Sequence, residues 1–200
     1  MKLYYSPHAC SLSPHIVLRE IGADFDLVQV DLATKQTTDG RDFLAVNPKG
    51  QIPTLELDDG TVLTEGVAVV LHLADSHPEA GLVPAAGTIE RARVQETLNF
   101  VSSELHKAFG PLFNPATSED GREAAKAQVS AKLDLLEAQL TDGRAWLAGA
   151  NFSPADTYAF VVTRWTGFQG IALDRWPHVE AWLGRVEARP AVQAALAAEG

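Results

Sequence analysis

The periodicity of this chain changes once, at His77-Pro78. Before that point short apolar or alternating runs interleave with helix-like stretches; after it only the three-and-four spacing of helices remains. Leu3–Tyr5 reads as a first strand, Ser6-Pro7-His8-Ala9 as a turn, and Ser11 through Ile21 as a helix with Ile16, Val17, Leu18 and Ile21 toward a core. Asp26–Val30 alternates like a strand, and Asp39–Val46 reads as a short helix ended by Asn47-Pro48-Lys49-Gly50. Thr54–Leu57 and Thr61–Leu63 flank the hairpin turn Asp58-Asp59-Gly60, and Glu65–Ser76 is helical.

The order β-α-β-α-β-β-α supports a parallel βαβ unit joined to an antiparallel hairpin, the layout of a thioredoxin-like domain. Residues 1–77 are therefore expected to form that domain, 78–87 a polar linker, and 88–200 an all-helical domain. In the helical half, Ala92, Gln95, Asn99, Ser102 and His106 are expected along one long helix. Ala125, Val129, Leu133, Leu136 and Leu140 mark the inner face of a second. Ser153-Pro154-Ala155-Asp156 has the form of a capping box with proline in the first turn. Further helices start at Trp176-Pro177 and Arg189-Pro190, and the alanine-rich last ten residues are expected to fray.

With Lys plus Arg 16 and Asp plus Glu 26, the net charge is −10, which argues against a nucleic-acid partner. A single cysteine allows neither an internal disulfide nor a cysteine-based zinc site, and fits a reducing compartment. No secretory leader is legible, and no apolar run nears the roughly 18 residues of a spanning helix, so a cytoplasmic protein without a membrane partner is expected.

Cys10 carries the clearest chemistry. A thiol at a strand-to-helix junction meets the positive end of a helix dipole and free N–H groups, which favour thiolate; its alternative is a small buried apolar residue. Gln51-Ile52-Pro53 precedes a strand. A cis proline there presents the Ile52 N–H and C=O to a peptide-like ligand, whereas a trans proline only starts an edge strand. Glu65 and Gly66 open a helix. Helix N–H groups suit a carboxylate and Glu65 suits an ammonium, so a ligand with both an α-amino and an α-carboxylate group fits. Thr64 as a plain N-cap, with Glu65 favouring the dipole, is compatible with that reading.

Tyr4-Tyr5-Ser6-Pro7 with Cys10-Ser11 is followed by Asn47-Pro48-Lys49-Gly50-Gln51-Ile52-Pro53 and by Leu63-Thr64-Glu65-Gly66. Leu98-Asn99-Phe100, Glu104-Leu105-His106-Lys107 and Phe152-Ser153-Pro154-Ala155-Asp156 complete the set. In this order and spacing the chain resembles a bacterial beta-class glutathione S-transferase over essentially its whole length. The resemblance implies glutathione as co-substrate, no metal, and a homodimer. Cys10 matches the cysteine beside the glutathione sulfur, and Lys35 a contact to the tripeptide. Gln51, Ile52 and Pro53 match the segment that pairs with the cysteinyl part, and Glu65 and Gly66 the γ-glutamyl binders. Position 66 is often serine in relatives, so here backbone N–H groups must suffice.

Asn99, Ser103, Glu104 and His106 match second-domain positions that close the site. The i, i+4, i+7 spacing of Asn99, Ser103 and His106 would put them on one helix face. His106 is expected to hydrogen-bond near the sulfurs rather than act as a full base. Ser11 is open to two readings, a hydroxyl toward the thiolate or a helix-start residue, and Tyr5 reads as packing. His8 and His15 are expected to face solvent or pack. Phe109, Phe113, Trp165 and Phe168 can wall a pocket for an apolar electrophile or form ordinary core. The implied activity is conjugation of glutathione to hydrophobic electrophiles, with disulfide reduction or peroxidase chemistry through Cys10. The other class left open is a non-catalytic carrier or regulator.

Overall fold

Strand β1 (Lys2–Tyr5) is the spine of a five-stranded sheet of order β3-β2-β1-β4-β5 in the computed structural model, which describes all 200 residues. It runs parallel to β2 (Asp26–Asp31), with Lys2 opposite Asp26, and antiparallel to β4 (Thr54–Glu56), with Tyr4 opposite Thr54. Leu3, Tyr4 and Tyr5 are all buried, as a central strand covered on both faces requires. In β2 only Val28 and Val30 are buried, so its alternation was visible in the sequence. β5 (Val62–Thr64) closes the expected hairpin. A two-residue strand, β3 (Gln36–Thr37), lies on the other edge and was not expected, being too short to alternate.

The chain divides into two compact units, Met1–Val83 with Arg189–Gly200, and Pro84–Ala188. In the first, α1 (Leu12–Glu20) buries Leu12, Ile16, Val17 and Leu18, and α3 (Gly66–Ser76) buries Val69, Val70 and Leu73. The short α2 (Phe43–Val46) starts later than expected because the Asp42 carboxylate caps the Leu44 N–H. It sends Phe43 into a cluster with Tyr4, Val28 and Val30.

The C-terminal helix does not fray. α9 (Pro190–Glu199) packs on α1, burying Val192 and Ala195. The Arg189 guanidinium holds both oxygens of Glu20, at 2.7 and 2.8 Å. His15, expected to face solvent or pack, is wholly buried: its Nε2 accepts from Arg19 Nε at 2.9 Å, so Nδ1–H donates to Glu199 at 2.8 Å. These contacts assign residues 189–200 to the first unit, so the helical unit ends earlier than the 200 expected.

The second unit contains α4 (Ile89–Phe100), α5 (His106–Phe113), α6 (Glu119–Leu140), α7 (Pro154–Phe168) and α8 (Pro177–Glu187). On α6 the buried residues are the five read from spacing. The stretch Val101–Leu105 joins α4 to α5 as a π-helical turn. The Ser102 and Ser103 hydroxyls both donate to the Asn99 carbonyl, at 3.1 and 2.8 Å, and such back-bonding loosens a helix ladder. Leu98, Val101, Leu105 and Phe109 stay buried through the turn, so the inner face runs on from α4 into α5, with His106 the first residue of α5. No helix is long and apolar enough to cross a membrane.

Candidate active site

Cys10 lies one residue before Ser11, the N-cap of α1, in a loop closed by Ala9 N–H to Ser6 O and Leu12 N–H to Ala9 O. It is partly exposed, and its Sγ donates to the Ile52 carbonyl at 3.6 Å. An S–H given to a carbonyl is the resting thiol, and reaction as a thiolate gives up that bond. Ser11 is a correction: its buried hydroxyl accepts from Ser6 N at 3.2 Å and donates to Ser6 O at 3.3 Å. Those two bonds staple the loop and leave no proton for a neighbouring sulfur. Tyr5 is buried, and burial, with the Glu199 carboxylate as second cause, raises its phenol above the ordinary value; this is packing, not activation.

The Ile52–Pro53 peptide is cis, the first of the two readings. Ile52 lies outside both ladders, whose last pairs join Thr54 to Tyr4 and to Thr64. Two residues not singled out in the sequence hold this segment. Asn47, almost fully buried, donates from Nδ2 to Gln51 O at 2.8 Å and to Thr54 Oγ1 at 2.9 Å, and Thr54 Oγ1 donates to Gln51 O at 2.9 Å. Asn47 was legible only as a helix terminator; its side-chain role needed the folded loop. The Ile52 carbonyl, expected to be open to a ligand, is engaged by Cys10, so a peptide-like ligand must share or displace that contact. Lys35 is also engaged within the chain. Its Nζ donates to the Gly50 carbonyl at 2.9 Å, across Gly50, where a Cβ would come within 3.0 Å of Leu44.

Glu65 is the N-cap of α3 with φ 69°, a backbone setting that turns the chain sharply into the helix. Its exposed carboxylate accepts from Lys49 Nζ at 2.7 Å, and Lys49 also reaches Thr64 Oγ1 at 3.1 Å. So exposed a pair is worth no more than about 1 kcal/mol and yields readily to another cation. Gly66 begins α3, and a Cβ there would meet only Pro53, at 3.5 Å. The first N–H groups of α3 and the Glu65 carboxylate are adjacent by construction, so an α-amino acid moiety finds complementary charge at both ends.

In the helical unit Asn99 and Ser103 are exposed, whereas Glu104 is drawn into an ion pair with Lys132 at 2.7 Å. His106 is half-buried. Its Nδ1 is 2.8 Å from the Tyr158 hydroxyl, and its ring meets the edge of Trp165 at 4.7 Å. Burial, with the Lys107 charge as a lesser cause, lowers its pKa to about 4, so the imidazole is neutral near pH 7. Phe109 is fully buried and Trp165 nearly so. With Phe113 they form one edge-on and stacked cluster, and Phe113 and Phe168 are half-exposed. Phe109 is therefore core, and of these aromatic rings only those of Phe113 and Phe168 present substantial exposed surface. Nowhere do three or more His, Cys, Asp or Glu side chains stand close enough to hold a metal ion.

Family models match both parts of the chain, the N-terminal domain of glutathione S-transferase over residues 9–76 and its C-terminal domain over 100–190. Glutathione S-transferase GstA of Escherichia coli O157:H7 is 48% identical over the whole chain and 99% of its own. The solved sphingomonad glutathione S-transferase complexed with glutathione superposes with a TM-score of 0.97 at 50% identity, covering 100% of this chain and 99% of that one. The bacterial beta-class enzyme of Sphingomonas chungbukensis gives 0.96 at 50% identity over the same shares. The chain belongs to the glutathione S-transferase family, close to its bacterial beta class.

Proposed function

We propose that this glutathione transferase takes reduced glutathione in its thioredoxin-like unit and joins its sulfur to apolar electrophiles, and that Cys10 adds a thiol–disulfide exchange activity. Glutathione is the co-substrate. The observation that carries the reading is that the Cys10 thiol, against Ile52 O, and the Glu65–Gly66 helix start, against Pro53, both meet the Gln51–Pro53 segment that Asn47 and Thr54 brace. The γ-glutamyl ammonium goes to Glu65 in place of Lys49, its carboxylate to the first N–H groups of α3, and the cysteinyl backbone to Ile52. Lys35 serves the glycyl carboxylate, and Gln51 and Pro53 hold the segment that presents Ile52.

In conjugation the glutathione thiolate forms the new carbon–sulfur bond while the leaving group departs with its electron pair. A free thiol has a pKa near about 8.5, and each unit of depression is worth about 1.4 kcal/mol and almost tenfold more thiolate. Helix N–H groups supply that depression, and the resemblance implies a further hydrogen bond from His106. The resemblance extends the roles of Asn99, Ser103, Glu104 and His106 to the bound tripeptide, and Phe113 and Phe168 suit a varied apolar substrate. A detoxifying role in the cytoplasm is consistent with this chemistry and with the lone thiol.

Calorimetric titration with glutathione tests the reading. Wild type binds, and Glu65→Ala binds about tenfold or more weakly, because a charge-assisted bond to the ammonium is lost. Turnover at saturating glutathione changes little. Absence of binding at millimolar glutathione leaves the carrier or regulator in its place. The same resemblance supports a homodimer, for which sedimentation at micromolar protein should return twice the chain mass; a monomer at that concentration refutes it.

A further inference from the structure

We propose that Tyr158 is the positioning residue of His106: its phenol O–H donates to Nδ1 and fixes the ring as the Nε2–H tautomer, so that His106 serves as a donor through Nε2. The inference rests on the reading of the protein as a transferase that uses His106. The two side chains belong to one unit, with Nδ1 2.8 Å from the hydroxyl. Nε2 makes no hydrogen bond within the chain. A histidine's tautomer is set by the bond its other nitrogen makes.

Two arrangements fit the distance. Either the phenol donates to Nδ1, or Nδ1–H donates to the phenol oxygen. The ring is neutral near pH 7, as its burial requires, so it carries one N–H and one lone pair. A phenol is the stronger acid of the two donors, and an imidazole lone pair is a better acceptor than a phenol oxygen. The first arrangement therefore wins.

Orientation is over-determined. Tyr158 is 7% exposed on the largely buried α7, and its ring meets that of His106 at 88°. Trp165, two turns along the same helix face, meets His106 at 76°. His106 is the first residue after the π turn, so the widened turn and the α7 face together decide where Nε2 points. A donor of this tautomer can stabilise a thiolate or a developing negative charge. It cannot take a proton at Nε2, so the ring is excluded as a general base there.

Nitrogen-15 NMR of histidine-labelled protein reads the tautomer without any substrate. Wild type should show His106 with Nδ1 unprotonated and Nε2 protonated from pH 6 to 8. Tyr158→Phe keeps the ring and removes the hydroxyl, and should show the two tautomers mixed. With an aryl halide as electrophile, Tyr158→Phe should lower kcat about tenfold while the KM for glutathione stays within twofold, and should add nothing in a His106→Ala background. Nδ1 protonated in wild type overturns the proposal whether or not Tyr158→Phe folds. So does an unchanged tautomer in Tyr158→Phe, or an equal loss of kcat in the His106→Ala background. Failure of glutathione to bind wild type in calorimetry refutes the transferase reading instead, and leaves the NMR result to decide the tautomer.

Discussion

Replacing Asp156 by alanine lowers the stability of the helical unit by about 3–5 kcal/mol. The Asp156 side chain joins three separate segments of that unit. Asp156 is fully buried at the start of α7. Oδ1 accepts from Leu147 N at 2.9 Å and from Trp182 Nε1 at 3.0 Å; Oδ2 accepts from Ser153 N at 3.0 Å and Ser153 Oγ at 3.1 Å. The capping box is thus only half of its role, since the other oxygen ties the loop at Leu147 and helix α8 to the start of α7. Alanine strands these donors where water does not reach, and each buried unpaired donor costs about 1–3 kcal/mol before relaxation.

In a domain of this size that loss moves the thermal midpoint down on the order of 10 °C. Asp156→Asn keeps the volume but turns an amide nitrogen toward a donor on one side or the other, so most of the loss remains. Ser153→Ala removes one donor and one cap, for about 1 kcal/mol. Calorimetric melting of the three variants separates the cases. Equal, small shifts for Asp156→Ala and Ser153→Ala would refute the joining role and leave a simple helix cap.

That contrast shows where sequence reading stopped. The capping box was legible because a helix start is local: Ser153, Pro154 and Asp156 suffice. The bonds from Leu147 and Trp182 come from nine and twenty-six residues away, and no local pattern encodes them. The same distinction runs through the fold. The hairpin about Asp58-Asp59-Gly60 and the inner face of α6 rest on short spacings and were read correctly. The docking of α9 on α1 depends on Arg189 meeting Glu20 and Glu199 meeting His15, pairs separated by most of the chain.

The π turn was missed for another reason. Spacing rules assume an α ladder, and the Ser102-Ser103 pair that competes for the Asn99 carbonyl looks like any polar surface. In the candidate site, residue types were legible but their present partners were not. Cys10, Ile52 and Glu65 stood out by position, yet Sγ on the Ile52 carbonyl and Lys49 on Glu65 appear only once the loops are folded. Ser11 and Phe109 show the limit most plainly. A hydroxyl and an aromatic ring at plausible positions are spent on loop closure and on core.

Cys10→Ala should abolish glutathione-dependent disulfide reduction while leaving conjugation. In the exchange we propose, the Cys10 thiolate attacks the glutathionyl sulfur of a mixed disulfide, forming Cys10–S–S–glutathione and expelling the second thiolate. A reduced glutathione then attacks that bond, releasing oxidised glutathione and restoring the Cys10 thiolate, so two electrons pass from glutathione to the substrate. Alanine has no sulfur for either step, and loss of a nucleophile that carries the covalent intermediate lowers turnover by on the order of 10³ or more.

Conjugation needs only the thiolate of glutathione itself. The Cys10 S–H to Ile52 contact, at 3.6 Å, is weak, and removing it leaves the Ile52 carbonyl open to the cysteinyl backbone. Glutathione affinity should therefore stay within about threefold, and conjugation within about tenfold, of wild type. Mass spectrometry of protein incubated with oxidised glutathione should find one glutathionyl adduct on wild type and none on the variant, since Cys10 is the only cysteine. Full reductase activity in Cys10→Ala would show that glutathione attacks the disulfide directly, and Cys10 would then be a packing residue of the first loop.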